Sequence, residues 1–178
     1  MPPREGPDLE SLFALFPPAG DVGTFQKIPG EEVPPPYHGL LVHEHHMTVT
    51  VEAHHGRLVD VKVLQVRKNR DVYSRKILLA LQGSGRVVQF GIMRLHLSFC
   101  DDKVKQEILA EKTPLGRILI EHNVLRRIEP TAYLRVKCGP GMMAWFGLKE
   151  PRTTYGRLAL IHCDGRPAVE LLEIVAPE

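Results

Sequence analysis

From Met47 onward the sequence alternates and turns, and that pattern holds the chain to a sheet of hairpin-joined strands. Met47 to Ala53 reads MTVTVEA and is rich in Thr and Val. Val59 to Val66 reads VDVKVLQV, with Val59, Val61, Val63 and Gln65 on one side. Val72 to Leu81 and Arg86 to Leu97 are two more such runs. Gly56, Asn69-Arg70-Asp71 and Gly83-Ser84-Gly85 supply the turns between them. Val124 to Lys137 holds a further strand, and Arg157 to Cys163 pairs with Ala168 to Val175 about Asp164-Gly165. Helices are expected between and before the strands. Asp8 caps a short one through Leu9, Leu12, Phe13 and Phe16, ended by Pro17 and Pro18. A second covers about 36–46, Asp101 caps a third through Val104, Ile108 and Leu109, and a fourth starts at Thr113-Pro114. Strands joined by hairpins, with helices grouped apart from them, make the fold class α+β. A ligand cavity between sheet and helices is natural in that arrangement.

The chain has 178 residues, the length of one domain or one domain with an arm. Nine of its 15 prolines fall within residues 1–36, so that stretch cannot be regular throughout. Residues 1–35 read as a Pro-rich arm with a short helix, turn-rich over 17–33, and 36–178 as a single domain.

The net charge is only +2, and cations alternate with carboxylates along the chain. The densest basic stretch, Arg67, Lys68, Arg70, Arg75 and Lys76, reads as a solvated turn between strands. No nucleic-acid partner is expected, and the Pro-rich arm is unlike a helix-turn-helix. No run approaches the ~20 apolar residues of a membrane span, and no secretory core is present. Cys100, Cys138 and Cys163 are too few and too far apart for a disulfide framework or a zinc site. They read as reduced thiols of a cytoplasmic protein. His43, His45, His46, His54 and His55 follow no metal-ligand pattern and read as solvent-facing or capping residues. Neither a metal nor an organic cofactor is expected, and nothing specifies an oligomeric state. The chain has no nucleophile motif and no phosphate loop: Gly83-Ser84-Gly85 is too short, and Cys163 and His162 point to opposite faces of a strand.

Three features point to a small anion. Lys112-Thr113-Pro114-Leu115-Gly116-Arg117 starts a helix, with Thr113 as the cap and Pro114 in the first turn. The free N–H groups of Leu115 and Gly116 then face outward at the positive end of the helix dipole. Arg75 shares its strand face with Tyr73, Ile77, Leu79 and Leu81, so its charge needs either an internal partner or a ligand carboxylate. Glu173 shares its face with Val169, Leu171 and Val175. In apolar surroundings it is a candidate proton donor; the alternative is that it pairs with Arg75.

Taken in order, Met47-Thr48 … Glu52, Tyr73 … Arg75-Lys76-Ile77-Leu78-Leu79, Lys112 to Arg117, and Arg157-Leu158 … Glu170 … Glu173 resemble the chorismate pyruvate-lyase (4-hydroxybenzoate synthase) family over roughly residues 36–177. The resemblance implies a six-stranded antiparallel sheet with helices packed on one side around a closed internal pocket. It implies cofactor-independent cleavage of chorismate to 4-hydroxybenzoate and pyruvate, a step of ubiquinone or other aromatic biosynthesis. Arg75 would hold the ring carboxylate, assisted by backbone N–H groups of Leu115 and Gly116. Met47 would contact the ring, and Glu173 would help protonate the departing ether. The family places a second Arg directly after a Gly on the next strand; here Gly91 is followed by Ile92, and the candidates to replace it are Arg94, on the same strand face as Ile92, and Arg117 or Lys112. The alternative function is a non-catalytic domain on the same fold that binds a benzoate-like or other small carboxylic acid.

Overall fold

The structure is a computed structural model and describes residues 6–17 and 21–178. Along the chain the elements are α1 (Leu9–Ala14), β1 (Gly23–Ile28), α2 (Tyr37–Leu41), α3 (Met47–His55), β2 (Val59–Asn69), β3 (Val72–Leu81), β4 (Val87–His96), α4 (Asp102–Ala110), α5 (Leu115–Glu121), β5 (Arg126–Cys138), α6 (Pro140–Phe146), β6 (Thr153–Cys163) and β7 (Arg166–Val175). The strands form one seven-stranded sheet in the order β1-β5-β6-β7-β4-β3-β2, each neighbouring pair antiparallel.

Local signals set most of these boundaries. The Asp8 carboxylate accepts from Ser11 N at 2.9 Å and opens α1; Pro18, expected to help end that helix, lies outside the described residues. Asp101 Oδ1 accepts from Val104 N at 2.9 Å and opens α4. Asp164 and Gly165 both adopt positive φ, 51° and 77°, as a tight two-residue hairpin requires.

Four stretches depart from the sequence reading. MTVTVEA is a helix, α3, and not a strand. Its buried residues are Met47, Thr48 and Val51, while Val49 is 47% exposed: that is one face of a helix, not alternate positions of a strand. Packing overrides the strand preference of the Thr-Val run. The 17–33 stretch contains β1, which pairs with β5 and makes the sheet seven-stranded rather than six-stranded; residues 18–20 lie outside the described residues. Gly23 permits this pairing, because a Cβ there would stand 2.3 Å from Lys137 O at a φ of +151°. The 36–46 helix is only the short α2. At the fourth helix, α5, Pro114 is the cap in place of Thr113, and no side chain caps it.

Both faces of the sheet are covered. Met93, Leu95, Val169 and Leu171 meet Val104 and Ile108 of α4 and Ile118 and Leu119 of α5. Beside them Ile77 and Leu79 meet Leu40 and Leu41 of α2 and Met47 and Val51 of α3. These helices form the layer expected over one face. On the other, Leu78, Phe90, Ile92, Leu158, Leu172 and Ile174 pack against Leu12 of α1 and Met142 of α6, and Trp145 stacks on Phe90 at 4.7 Å. The central strands β4 and β7 are therefore buried along nearly their whole length, as two-sided cover demands.

Candidate functional site

The starts of α3 and α5 meet above the middle of the sheet. Gly116 allows this approach: a Cβ there would lie 3.0 Å from His46 Cβ and 3.1 Å from Thr48 Oγ1. Glu52 locks the two helices together, with both carboxylate oxygens 2.6 Å from Arg117 Nη2, and Glu52 Oε2 accepts from Val59 N at 3.2 Å. Under the helix starts, one row of directly paired strand residues runs Ile77, Gly91, Glu173, Arg157 and Tyr133. The next row runs Arg75, Met93, Leu171 and Ala159. Gly91, with no side chain, leaves a hollow between Ile77 and Glu173. Between sheet and helices lies a cavity with about 60 Å³ open to the centre of a water molecule, room for several waters. Its lining includes His46, Met47, Thr48, Arg75, Gln89, Gly91, Leu115, Gly116, Arg157 and Glu173.

Arg75 is 2% exposed, and its Nε and Nη1 have no hydrogen-bond partner among the described residues. Burial pulls the guanidinium pKa below its ordinary value, while Tyr73 and Glu111 act in the opposite direction. That carboxylate is itself engaged by the Tyr73 hydroxyl, which donates to Glu111 Oε1 at 2.8 Å. The internal ion pair allowed by the sequence does not form on Arg75 among the described residues. A buried guanidinium with unmade hydrogen bonds is a costly group to keep, and a ligand carboxylate would satisfy it.

Glu173 is placed differently from expectation. It faces the cavity but is not an isolated acid: Arg157 Nε donates to Glu173 Oε2 at 2.7 Å. The isolation on which its proton-donor role rested is absent, and so is the pairing with Arg75. Arg157 is fully buried and also donates to the carbonyls of His43 at 2.8 Å, His45 at 2.9 Å and Leu41 at 3.3 Å, which ties the 42–45 segment to the sheet.

Arg94 is on the opposite face from the cavity. It donates through Nη2 to Glu170 Oε1 at 2.9 Å and through Nε to Glu170 Oε2, beside Ser11 of α1. The pleat explains this: Gly91 and Met93 face the cavity, so Ile92 and Arg94 face away. Arg117 is held by Glu52, and Lys112 is exposed, so neither provides a second cation in the cavity. Met47, Leu115 and Gly116 line it.

The sequence reading missed His46, Gln89 and Arg157. Arg157 could have been found as Arg75 was, because Tyr155, Ala159 and Ile161 share its strand face. Gln89 lies on the face of Gly91 and Met93, and its Oε1 has no hydrogen-bond partner among the described residues. His46 carries no sequence signal; it is 7% exposed, it caps α3 by backbone alone, and its Nε2 has no partner among the described residues. Burial first, and then the charges of Arg126, Arg157 and His45, push its pKa down to about 4. The ring is therefore neutral at pH 7. In the unfolded chain His46 returns to its ordinary 6.5 and takes up a proton that the folded site refuses. The stability it confers is complete above pH 6.5 and is lost as pH falls towards about 4. Urea unfolding across that range should show this loss, and His46→Gln should make the dependence shallower by up to one proton.

No protein-family model matches the sequence, and no curated protein matches it. Solved structures do. PhnF from Mycobacterium smegmatis superposes with a TM-score of 0.52 at 11% identity, over 74% of this chain and 63% of PhnF. The fold is chorismate-lyase-like. At that identity the likeness concerns the fold alone, and the chain spans less than two thirds of PhnF. Gene product SA0254 of Staphylococcus aureus N315 gives 0.49 at 12% identity, over 67% of this chain and 83% of that one. The ligand-binding domain of a protein assigned to the GntR-family transcriptional regulators of Bordetella bronchiseptica gives 0.49 at 15%, over 66% and 85%.

Proposed function

We propose that this domain binds a small monocarboxylic acid, aromatic or similarly flat, in the cavity under α3 and α5. The observation that carries the reading is the buried guanidinium of Arg75 facing that space, with Nε and Nη1 left without a hydrogen-bond partner among the described residues. A carboxylate matches its planar fork, and the start of α3 adds a favourable dipole. The charges of the cavity favour a monoanion over a dianion. Arg157 and Glu173 neutralise each other, His46 is neutral at pH 7, and Arg75 is left as the cation free to take a ligand. Apolar Met47, Ile77, Leu79, Leu115 and Leu171 would cover the body of the ligand. The orphan acceptor Gln89 Oε1 would take a ligand hydroxyl or amine hydrogen.

Cleavage of chorismate is the second reading, favoured by one fact: Arg75, Leu115, Gly116 and Glu173 all line the same cavity. It asks more of the site, since chorismate carries a second carboxylate, and Arg94 does not reach it. Titration calorimetry with benzoate and 4-hydroxybenzoate, beside an assay of chorismate turnover, separates the two. The binding reading expects saturable uptake of a benzoate that Arg75→Met weakens by roughly 100-fold, and no 4-hydroxybenzoate or pyruvate above the spontaneous background. Turnover above background, lowered in kcat by Glu173→Gln, would give the site to the lyase. Absence of both uptake and turnover would overturn the carboxylate site.

A further inference from the structure

Far from the cavity, at the other end of α3, three ligating side chains converge. His54 and His55 are the last residues of that helix, about 10–12 Å along its axis from Met47 at 1.5 Å per residue. After β7 ends at Val175, the chain runs back to them. Ala176 N donates to Val88 O at 2.9 Å, Glu178 N donates to Tyr37 Oη at 2.8 Å, and Arg152 Nη2 donates to Glu178 O at 2.7 Å. These bonds hold the backbone of Glu178 and leave its carboxylate free. Oε1 stands 3.2 Å from His54 Nε2 and 3.8 Å from His55 Nε2. The imidazoles sit edge to face at 4.8 Å, and one donor atom from each of the three residues lies within 4.8 Å of the other two.

We propose that His54, His55 and Glu178 form a zinc site. Tetrahedral zinc with bonds of ~2.0–2.1 Å separates its ligand atoms by about 3.3 Å, so the two imidazoles need only small rotations to share one ion with the carboxylate. Two nitrogens and one carboxylate oxygen suit Zn²⁺ and not the hard cations Ca²⁺ or Mg²⁺, which prefer oxygen throughout. Three protein ligands at a partly exposed position leave a coordination place for water. The hydrogen bond Glu178 N donates to Tyr37 and the one Glu178 O accepts from Arg152 hold the residue's backbone in place, so its carboxylate stands beside the two imidazoles before the ion arrives. The sequence conceals the site because its third ligand follows the last strand, far from the His54-His55 pair.

The test is titration of the full, tag-free chain with ZnCl₂, read by calorimetry and by thermal unfolding, with Co²⁺ absorption reporting the geometry. The expected result is one bound ion per chain, a tetrahedral Co²⁺ spectrum, and a rise in Tm with zinc. His54→Gln and Glu178→Gln each weaken binding by about tenfold or more. Both changes lie at partly exposed side chains, and Glu178→Gln keeps its two backbone hydrogen bonds. His45→Gln, within the 43–46 cluster, leaves zinc binding unchanged. The proposal is overturned if zinc does not bind stoichiometrically, if either His54→Gln or Glu178→Gln binds like the natural protein, or if His45→Gln loses the ion. Benzoate uptake by the Arg75 cavity is a separate measurement, and neither result decides the other.

Discussion

Arg157→Ala is expected to remove about 3–5 kcal/mol of folding stability, because it leaves a buried carboxylate without its counter-ion. Arg157 is fully buried and its partner Glu173 is 7% exposed. The carbonyls of Leu41, His43 and His45 lose a donor in the same step. The segment they anchor leads directly into His46 and the start of α3, so the roof of the cavity should loosen as stability falls. Urea unfolding measures the first effect, and amide exchange at residues 42–48 measures the second. Removing both charges at once, as in Arg157→Met with Glu173→Leu, should be much milder than Arg157→Ala, since the cost of breaking the pair exceeds the net worth of the pair itself. A loss below about 1 kcal/mol in Arg157→Ala would mean that the ion pair does not carry the roof.

How much of this was legible from residues alone follows from the range of each interaction. Hairpin turns, Asp caps and alternating strands are local signals, and they locate β2 to β4, β6 and β7, although β2 runs on to Asn69 and β6 starts earlier, at Thr153. Helix α3 was misread because Val and Thr favour strands locally, while the decisive contacts, Met47 and Val51 against the sheet and Glu52 against Arg117, come from distant parts of the chain. Strand β1 depends on a partner more than a hundred positions away, across from β5, and prolines on either side hide it. Among site residues, Arg75 could be found because it interrupts an apolar strand face. Glu173 was found by the same rule, but its partner was not: strand alternation shows that a charge points inward, and only the register shows which opposite charge meets it. The same limit misplaced Arg94, for which counting from Ile92 rather than Gly91 chose the wrong face.

Arg75→Met should have opposite effects on folding and on binding. Methionine fills similar space without a charge, so it removes a buried guanidinium that has no carboxylate partner among the described residues. Without ligand, the variant is expected to be more stable than the natural protein by about 1–3 kcal/mol. With ligand that advantage is offset, because the lost fork-to-carboxylate contact should weaken affinity by roughly 100-fold, or nearly 3 kcal/mol. A residue kept only for packing would do neither: its loss would lower stability and leave any ligand's stabilisation intact.

The measurement that meets this account most directly is equilibrium urea unfolding of the natural protein and Arg75→Met, each with and without saturating 4-hydroxybenzoate. The account predicts that Arg75→Met is the more stable protein without the acid and gains little from it, while the natural protein is stabilised strongly. If Arg75→Met is the less stable protein without ligand, or gains as much from 4-hydroxybenzoate as the natural chain, Arg75 is not the carboxylate anchor of this fold.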